Sequence, residues 1–194
     1  MNLYSTYKLE LGKHKASVMA GFNQESSWYG YLNTSIDEQA VPTVPSFGGG
    51  TGTKNISEGY TEYAIRGAFG RLTYSYDDKY LLTANMRYDG SSKFPKENRF
   101  GFFPSISVGW RLGQEHFMDW SREYLDDFKL RASYGSIGNQ NISPYGFIAS
   151  MGIGQSNVWL DGGDKVTVIG VPGLVRANYT WETVTTLDFG FDLN

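Results

Sequence analysis

The sequence predicts an all-β fold, an antiparallel meander of about seven strands, from its composition, its alternation and its connections. The 194 residues include 24 glycines, 14 tyrosines and 12 phenylalanines, a composition typical of β-rich chains rather than helical ones. Runs of alternating apolar and polar residues recur along the chain at the period of two that a strand imposes. Short turns alternate with long polar connections between these runs. Nothing in the length or composition indicates a second domain.

The first two predicted strands form a hairpin. They cover residues 3–11 and a segment near residues 15–23, and a tight Gly-Lys-His turn joins them. One face of each strand is apolar and the other is mostly polar, with Met19 as an imperfect member of the polar face. The residues of the two apolar faces are Leu3, Tyr7, Leu9, Leu11, Ala16, Val18, Ala20 and Phe22.

The third and fourth predicted strands repeat this pattern. They cover residues 63–76 and 80–89, and a short Asp-Asp-Lys turn reverses the chain between them. Leu81 alone breaks the polar face of the fourth strand. The two apolar faces contain Ala68, Leu72, Tyr74, Tyr76, Tyr80, Leu82, Ala84, Met86 and Tyr88.

The last three predicted strands lie at residues 104–112, 128–135 and 187–193. Their apolar faces contain Pro104, Ile106, Val108, Trp110, Leu112, Phe128, Leu130, Ala132, Tyr134, Leu187, Phe189, Phe191 and Leu193. Short turns follow the first and third strands, and a medium segment follows the fifth. Long polar loops are predicted after the second, fourth and sixth strands, at residues 24–61, 90–102 and 137–180.

This order of connections favours a membrane barrel. Outer-membrane barrels join their strands by short periplasmic turns and longer extracellular loops, and they turn an apolar face to lipid. Aromatic residues also gather near the short-turn end of the predicted strands, as in an interfacial girdle. These residues are Tyr74, Tyr76, Tyr80, Trp110, Phe128 and Phe191. The alternative is a soluble β-sandwich that buries the apolar face against a second sheet.

Charged residues bear on the register of the strands. A slip by one residue would swap the two faces and expose cations to lipid, at about 2–4 kcal/mol for each one near the bilayer midplane. These cations are Arg71, Arg87, Arg111, Lys129 and Arg131. Arg66 is the exception, because its parity places it on the apolar face. It lies ten positions from Tyr76, which predicts a place at the opposite interface, where the cost falls to about 0–1 kcal/mol.

No motif in the sequence indicates catalysis or a bound cofactor. The chain has no cysteine, and its net charge of −3 includes no basic cluster that would indicate a nucleic-acid partner. The glycine-rich stretch at residues 48–55 is not a phosphate loop, because Thr53 stands where that motif needs glycine. Asp161 and Asp164 could offer carboxylates to Ca²⁺, but two are too few for a persuasive oxygen cage. We therefore predict no enzyme activity, no cofactor and no metal site.

Ligand contact is expected in the long loops. Trp28, Tyr29 and Tyr31 crowd one predicted loop, and Tyr145 and Trp159 lie in another. Their flat faces could stack on sugar rings while nearby Asn and Ser side chains bind hydroxyl groups. We therefore predict ligand contacts at Trp28, Tyr31, Tyr145 and Trp159. The alternative is that these aromatic residues pack the loops or form an upper girdle.

The stretches GKHKASVMAGFNQE, RGAFGRLTYSYDDKYLL and YLLTANMRYDGSSKFPKENRFGFFPSISVGWRL occur in this order, followed by KLRASYGSIGNQNISPY and YTWETVTTLDFGFDL. Together they closely resemble the barrel region of TonB-linked outer-membrane transporters of the SusC/RagA type. The resemblance covers most of the chain apart from the loop interiors, and the combination of DGSSKF, FGFFPSISVGWR and LRASYGSIGNQN is specific. It implies an outer-membrane location and a large barrel of around 22 strands with a plugged lumen.

The resemblance also implies a function and partners. Members of this family import oligosaccharides or peptides, with a SusD-like surface lipoprotein as a lid and the inner-membrane TonB complex as the energy source. The expected partners of this chain are thus the lipid bilayer, the remainder of the barrel and its plug, that lipoprotein and the TonB complex.

The chain departs from the complete pattern of that family. It shows no plug domain, no TonB box, no signal peptide and too few strands to close such a barrel. Residues 1–194 are therefore expected to be one part of a TonB-dependent receptor barrel. The alternative function is that of a soluble β-sandwich, a surface binding or adhesion module without catalysis.

Overall fold

The computed structural model describes the chain except for residues 122, 123, 125, 126, 160–164, 177 and 194. One large sheet consists of β1 (Asn2–Leu11), β2 (His14–Ile36), β3 (Lys54–Tyr76), β4 (Tyr80–Ser91), β5 (Phe100–Arg111), β6 (Phe128–Asn139) and β9 (Glu182–Leu193). Two more strands, β7 (Ile153–Trp159) and β8 (Lys165–Ile169), form a separate hairpin. In the large sheet each strand pairs antiparallel with the next one in this order. The predicted all-β antiparallel meander is confirmed.

Short 3₁₀ helices occur in the connections. They are Phe47–Gly49, Lys96–Asn98, Leu112–Gln114 and His116–Ser121. Among the described residues, no helix has the length and apolar character needed to cross a membrane.

The pairing register places like residues in continuous rows across the large sheet. An apolar row runs through Tyr7, Val18, Leu72, Ala84, Ile106, Tyr134 and Leu187. A neighbouring row on the opposite face is polar throughout, with Lys8, Ser17, Thr73, Thr83, Ser107, Ser133 and Asp188. Because side chains alternate between faces along a strand, one face of the sheet is apolar and the other is polar, as predicted.

Within the part of the chain that the structure describes, no second layer covers the apolar face. Val108 is 47% exposed and Leu187 is 61% exposed, although both lie on the apolar face. Among the described side chains, the buried hydrophobic ones are Phe94, Phe103 and Leu112. A soluble sandwich would bury one whole apolar face, so the described part of the chain does not have that architecture.

Two tight turns close the short ends of the hairpins. Gly12 has φ of +57°, and Asp77 and Asp78 both have φ of +53°. Glycine and aspartate tolerate these left-handed conformations better than most residues. Lys13 Nζ lies 2.8 Å from Asp77 Oδ2, and Lys15 Nζ lies 2.6 Å from Asp78 Oδ2. The two turns are therefore joined side by side at the same end of the sheet.

The predicted loop at residues 24–61 is wrong in extent. Strand β2 continues to Ile36 and β3 begins at Lys54, with unbroken pairing along the extension. The extra thirteen residues of β2 span about 40 Å, so the hairpin rises well beyond the end of β4. The predicted loop at residues 137–180 likewise contains the β7–β8 hairpin.

One predicted strand residue is also misplaced. Leu112 was expected on the apolar face of the fifth strand, but β5 ends at Arg111 and Leu112 begins a 3₁₀ helix. Arg111 has φ of −84° and ψ of 85°, which takes the chain out of the extended path. Leu112 is buried there instead of facing lipid.

Candidate functional site

Aromatic rows mark both ends of the apolar face. At the short-turn end, Tyr80 stacks on Tyr76 and on Trp110, with ring centroids 6.3 and 6.1 Å apart. At the other end, Tyr88 stacks on Phe100 at 5.1 Å, and the guanidinium of Arg66 lies 5.3 Å from the Phe100 ring centroid. Such girdles are typical of the two membrane interfaces of a barrel.

The spacing between the two girdles fits an outer-membrane bilayer. Arg66 lies ten residues from Tyr76 on β3, a path of about 33 Å. With strands tilted by about 40°, this corresponds to about 25 Å of height, the thickness of the apolar band in outer-membrane barrels. Arg66 thus lies at the far girdle, as its distance of ten positions from Tyr76 predicts.

The polar face then lines the barrel lumen and forms the candidate site. In its middle, Arg71 Nε donates a hydrogen bond to Asn85 Oδ1 at 2.7 Å, and Asn85 Nδ2 donates to Ser105 Oγ at 3.1 Å. These three side chains lie on β3, β4 and β5, one next to another. The chain of hydrogen bonds fixes a cation among neutral polar groups on the lumen wall.

A second polar group lies on the same face, further from the β3–β4 turn. Arg87 donates hydrogen bonds of 2.9 Å to both carboxylate oxygens of Asp89, and its guanidinium lies 5.8 Å from the Phe69 ring centroid. Gly67 lies beside Asp89 on β3, between it and Asn23 on β2. The absence of a side chain at Gly67 leaves room for the carboxylate and the amide.

The DGSSKF motif anchors a small aromatic core above these groups. Phe94 is fully buried, with its ring centroid 5.0 Å from that of Trp181 and 6.2 Å from that of Tyr179. Trp181 also meets Phe103 edge-on at 5.2 Å, and its indole N–H donates to the Arg99 carbonyl at 2.9 Å. The core therefore ties the β4–β5 loop to the segment that leads into β9.

An open hollow of about 400 Å³ is lined by members of both polar groups and by Phe103 of this core. Its lining includes Arg87, Asp89, Ser105, Ser133 and Asp188. Hydroxyl, carboxylate and guanidinium groups in one hollow can bind hydroxyl-rich or amide-rich ligands. A larger concavity of about 970 Å³ is lined mainly by the apolar face, where lipid rather than a polar ligand is the expected occupant.

The structure separates the predicted ligand residues on the first hairpin. Trp28 shares the parity of the apolar face and stacks on Tyr60, with centroids 6.4 Å apart. Tyr29 and Tyr31 share the parity of the polar face, with ring centroids 6.3 Å apart. All three lie in β2 rather than in a loop, and Trp28 and Tyr31 point to opposite sides of the hairpin.

The other two predicted ligand residues lie further along the chain. Tyr145 has φ of +63°, and its hydroxyl accepts a hydrogen bond of 3.2 Å from the backbone N–H of Glu62. That bond joins the segment after β6 to the extended hairpin. Trp159 ends β7, but its side chain lies outside the described residues. Asp161 and Asp164 lie outside them too.

The sequence pattern does not single out the lumen groups as a site. It places Arg71 and Arg87 only on a polar face, and it places Phe94 in a predicted polar loop. The signal that could have identified Phe94 is the DGSSKF motif itself, an aromatic residue that closes a small polar turn. Among the described residues, no group of three or more potential metal ligands occurs.

Comparisons with known proteins agree with this geometry. The family model described as "TonB dependent receptor-like, beta-barrel" matches residues 2–194. The chain is 41% identical over 201 residues to TonB-dependent receptor P26 of Formosa agariphila, covering 96% of this chain and 19% of that receptor. It is 31% identical over 205 residues to TonB-dependent receptor SusC of Bacteroides thetaiotaomicron, covering 98% of this chain and 19% of that receptor. The chain thus spans about a fifth of these relatives.

Solved structures share the fold. The chain is similar to the RagAB peptide importer in its closed-closed state, with a TM-score of 0.83 and 20% identity over 99% of this chain and 21% of that one. The structure of the RagAB peptide transporter gives a TM-score of 0.82 and 21% identity, with the same coverage. At these identities the likeness shows the fold alone, a section of a large barrel wall.

Proposed function

Because this chain belongs to the family of TonB-dependent receptor β-barrels, we propose that it forms part of the wall and the extracellular loops of an outer-membrane importer. Proteins of this family are transporters of the outer membrane and not enzymes. The observation that carries the proposal is the pair of unbroken rows, one apolar and one polar, on opposite faces of seven paired strands. A wall between lipid and an aqueous lumen requires this division.

We propose that this chain is one part of a longer receptor. The chain covers 19% of the relatives P26 and SusC. We propose that the remainder supplies a plug and the strands that pair with β1 and β9. Edge strands with unpaired backbone groups are unfavourable in hydrocarbon, which supports such a completion.

The proposed substrates are oligosaccharides or peptides. The similar RagAB structures are those of a peptide importer, also described as a peptide transporter. On this chain, the lumen hollow offers hydroxyl, carboxylate and guanidinium groups, which can form hydrogen bonds with hydroxyl groups and with amides.

The aromatic residues on the extracellular hairpin support a role in ligand contact. Tyr31 and Tyr29 share the parity of the lumen face, and Tyr145 is held to the same hairpin by its hydroxyl. Trp28 lies on the other side, and Trp159 remains a candidate by its residue type. We propose that Tyr31 and Tyr145 contact substrate as it enters the lumen.

The proposed partners are a SusD-like surface lipoprotein and the TonB complex. The β2–β3 hairpin extends about 40 Å past the far girdle, a surface large enough to meet a lid. Coupling to TonB is expected of the plug and not of this chain.

Uptake by intact cells tests the import function. Cells with and without the receptor would be given fluorescent oligosaccharides and peptides, with and without a protonophore. We expect uptake of at least one class to require both the receptor and an energised inner membrane. Receptor-dependent uptake that persists unchanged after the protonophore would indicate a passive pore instead.

A further inference from the structure

The connection between β5 and β6 meets the outward-facing side of the barrel wall. Glu115 accepts hydrogen bonds from the Tyr80 hydroxyl at 2.8 Å and from the Trp110 indole N–H at 3.2 Å. Both donors belong to the lipid-facing row at the short-turn girdle. A carboxylate that reaches both of them must lie on the lipid side of the wall or at its rim, and not inside the lumen.

The polar groups at this point satisfy one another. Lys79 Nζ lies 3.3 Å from Glu115 Oε2, and the Glu115 side chain is only 15% exposed. The negative charge is thus paired with a positive charge next to the girdle. No isolated charge has to enter the interface when the connection lies against the membrane.

The helix that follows is amphipathic on a small scale. In a 3₁₀ helix, residues three apart lie on the same side. In His116–Ser121 this places Phe117 with Trp120 on one side. It places His116 with Asp119 on another, where Nδ1 and Oδ2 are 3.8 Å apart.

The aromatic side of this helix continues the girdle. Phe117 meets Trp110 edge-on, with ring centroids 6.5 Å apart and an interplanar angle of 67°. Phe117 is nevertheless 59% exposed, and Trp120 is 73% exposed. Two large aromatic side chains thus extend the established lipid-facing surface without cover from the described part of the chain.

We propose that Phe117 and Trp120 insert into the phospholipid headgroup region at the short-turn end and anchor the β5–β6 connection to the membrane interface. Aromatic rings favour this region, because it offers apolar and hydrated surroundings together. Lipid is the occupant because the aromatic surface is continuous with the girdle, whereas the charged side of the helix points elsewhere. The inference depends on the barrel fold and not on import.

Spin-label accessibility in the reconstituted receptor tests this position. Trp120→Cys would be labelled with a nitroxide in the intact receptor, in a background without other reactive cysteines, and inserted into vesicles of phosphatidylethanolamine and phosphatidylglycerol. Relaxation by oxygen, which favours lipid, would be compared with relaxation by a nickel chelate, which favours water. Lys13→Cys in the β1–β2 turn at the same end of the sheet and Val108→Cys in the apolar belt provide the water-exposed and lipid-exposed references.

We expect the oxygen-to-nickel accessibility ratio at Trp120→Cys to fall between those of Lys13→Cys and Val108→Cys. Phe117→Cys should give a similar ratio, whereas His116→Cys, on the charged side of the same helix, should match Lys13→Cys. A water-like ratio at both aromatic positions would overturn the proposal. Protection of both positions from both reagents would also overturn it, because protein and not lipid would then cover the helix.

Discussion

Arg87 donates two hydrogen bonds of 2.9 Å, one to each carboxylate oxygen of Asp89, on the lumen face of β4. The Asp89 carboxylate lies against the backbone of Gly67 on the neighbouring strand. A Cβ atom on Gly67 would overlap Asp89 Oδ1 and would stand 2.8 Å from Asn23 Oδ1. The ion pair therefore depends on the missing side chain of a glycine.

Gly67→Ala should destabilise the receptor by about 1–3 kcal/mol, because the new methyl group displaces Asp89 from its place beside Arg87. Urea unfolding of the detergent-solubilised receptor measures the change in free energy. Gly70→Ala on the same strand is the matched control, since its nearest neighbour would be Met86 Cγ at 3.4 Å. Equal losses in both variants would refute the proposed crowding at Asp89.

Two adjacent residues on β5 distinguish the two faces of the wall. Ile106 lies in the apolar belt, about midway between the two girdles, and Ser107 lies in the polar row. Ile106→Arg should cost about 2–4 kcal/mol near the bilayer midplane, whereas Ser107→Arg should cost much less, because it meets the lumen. The folded fraction in lipid vesicles, read from a gel-mobility shift, compares them. A larger loss for Ser107→Arg would reverse the assignment of faces.

The Glu115 carboxylate, at the short-turn end of the sheet, makes the free energy of unfolding depend on pH. Hydrogen bonds from Tyr80 and then from Trp110, with the charge of Lys79, hold the pKa of Glu115 below its ordinary value. A lowered pKa in the folded state means that the stabilisation is complete above the unfolded-state pKa and is lost as pH falls through the folded value.

At neutral pH the free energy of unfolding should therefore be larger for the native receptor than for Glu115→Gln. This difference should stay constant down to about pH 5 and shrink at lower pH. Chemical denaturation across this range provides the measurement, and the Gln variant removes the contribution of other titrating groups by subtraction. A difference that grows on acidification would contradict the lowered pKa.

The sequence predicts the membrane-embedded part of the fold well, because each strand there meets two different environments. Lipid on one face and water on the other impose an apolar-polar alternation, as in Ser107 and Val108. The sequence pattern does not predict the extension of the β2–β3 hairpin, because both faces of that extension meet water. Its segment from Ser26 to Ile36 keeps aromatic and β-branched residues without strict alternation, so the period of two is lost.

The candidate site was less predictable, because it depends on contacts between distant residues. Phe94 is buried by Trp181, which lies 87 positions away in the sequence. The Tyr145 hydroxyl meets the Glu62 backbone across 83 positions. Neither contact produces a recognisable pattern within a short stretch of the sequence. Trp28 and Tyr31 lie close together in the sequence, but the alternation of side chains along a strand places them on opposite sides.

The membrane orientation can be tested by labelling on intact cells. Gly48→Cys lies near the tip of the extended hairpin, where an added Cβ meets no atom within 4 Å. Lys13→Cys lies in a tight turn at the opposite end. We expect a membrane-impermeant maleimide to label Gly48→Cys only, because the long connections face the cell exterior. Labelling of Lys13→Cys alone would show that the orientation is the reverse, with the tight turns at the cell exterior.

The two sides of the extended hairpin should differ in their effect on import. If substrate passes the lumen side, Tyr31→Ala and Tyr145→Ala should each weaken binding by about 1 kcal/mol or more, as loss of an aromatic contact does. Trp28→Ala should change uptake less, because its ring stacks on Tyr60 on the other side.

Uptake of the best substrate at several concentrations, corrected for surface expression, gives the apparent affinity of each variant. Tyr145→Phe separates the two roles of that residue, because it removes only the hydroxyl that accepts the Glu62 N–H. If Tyr145 acts through its ring, Tyr145→Phe should retain the affinity that Tyr145→Ala loses. If Trp28→Ala alone reduced the affinity, substrate would have to contact the outer side of the hairpin, and the proposed entry path along the lumen side would be wrong.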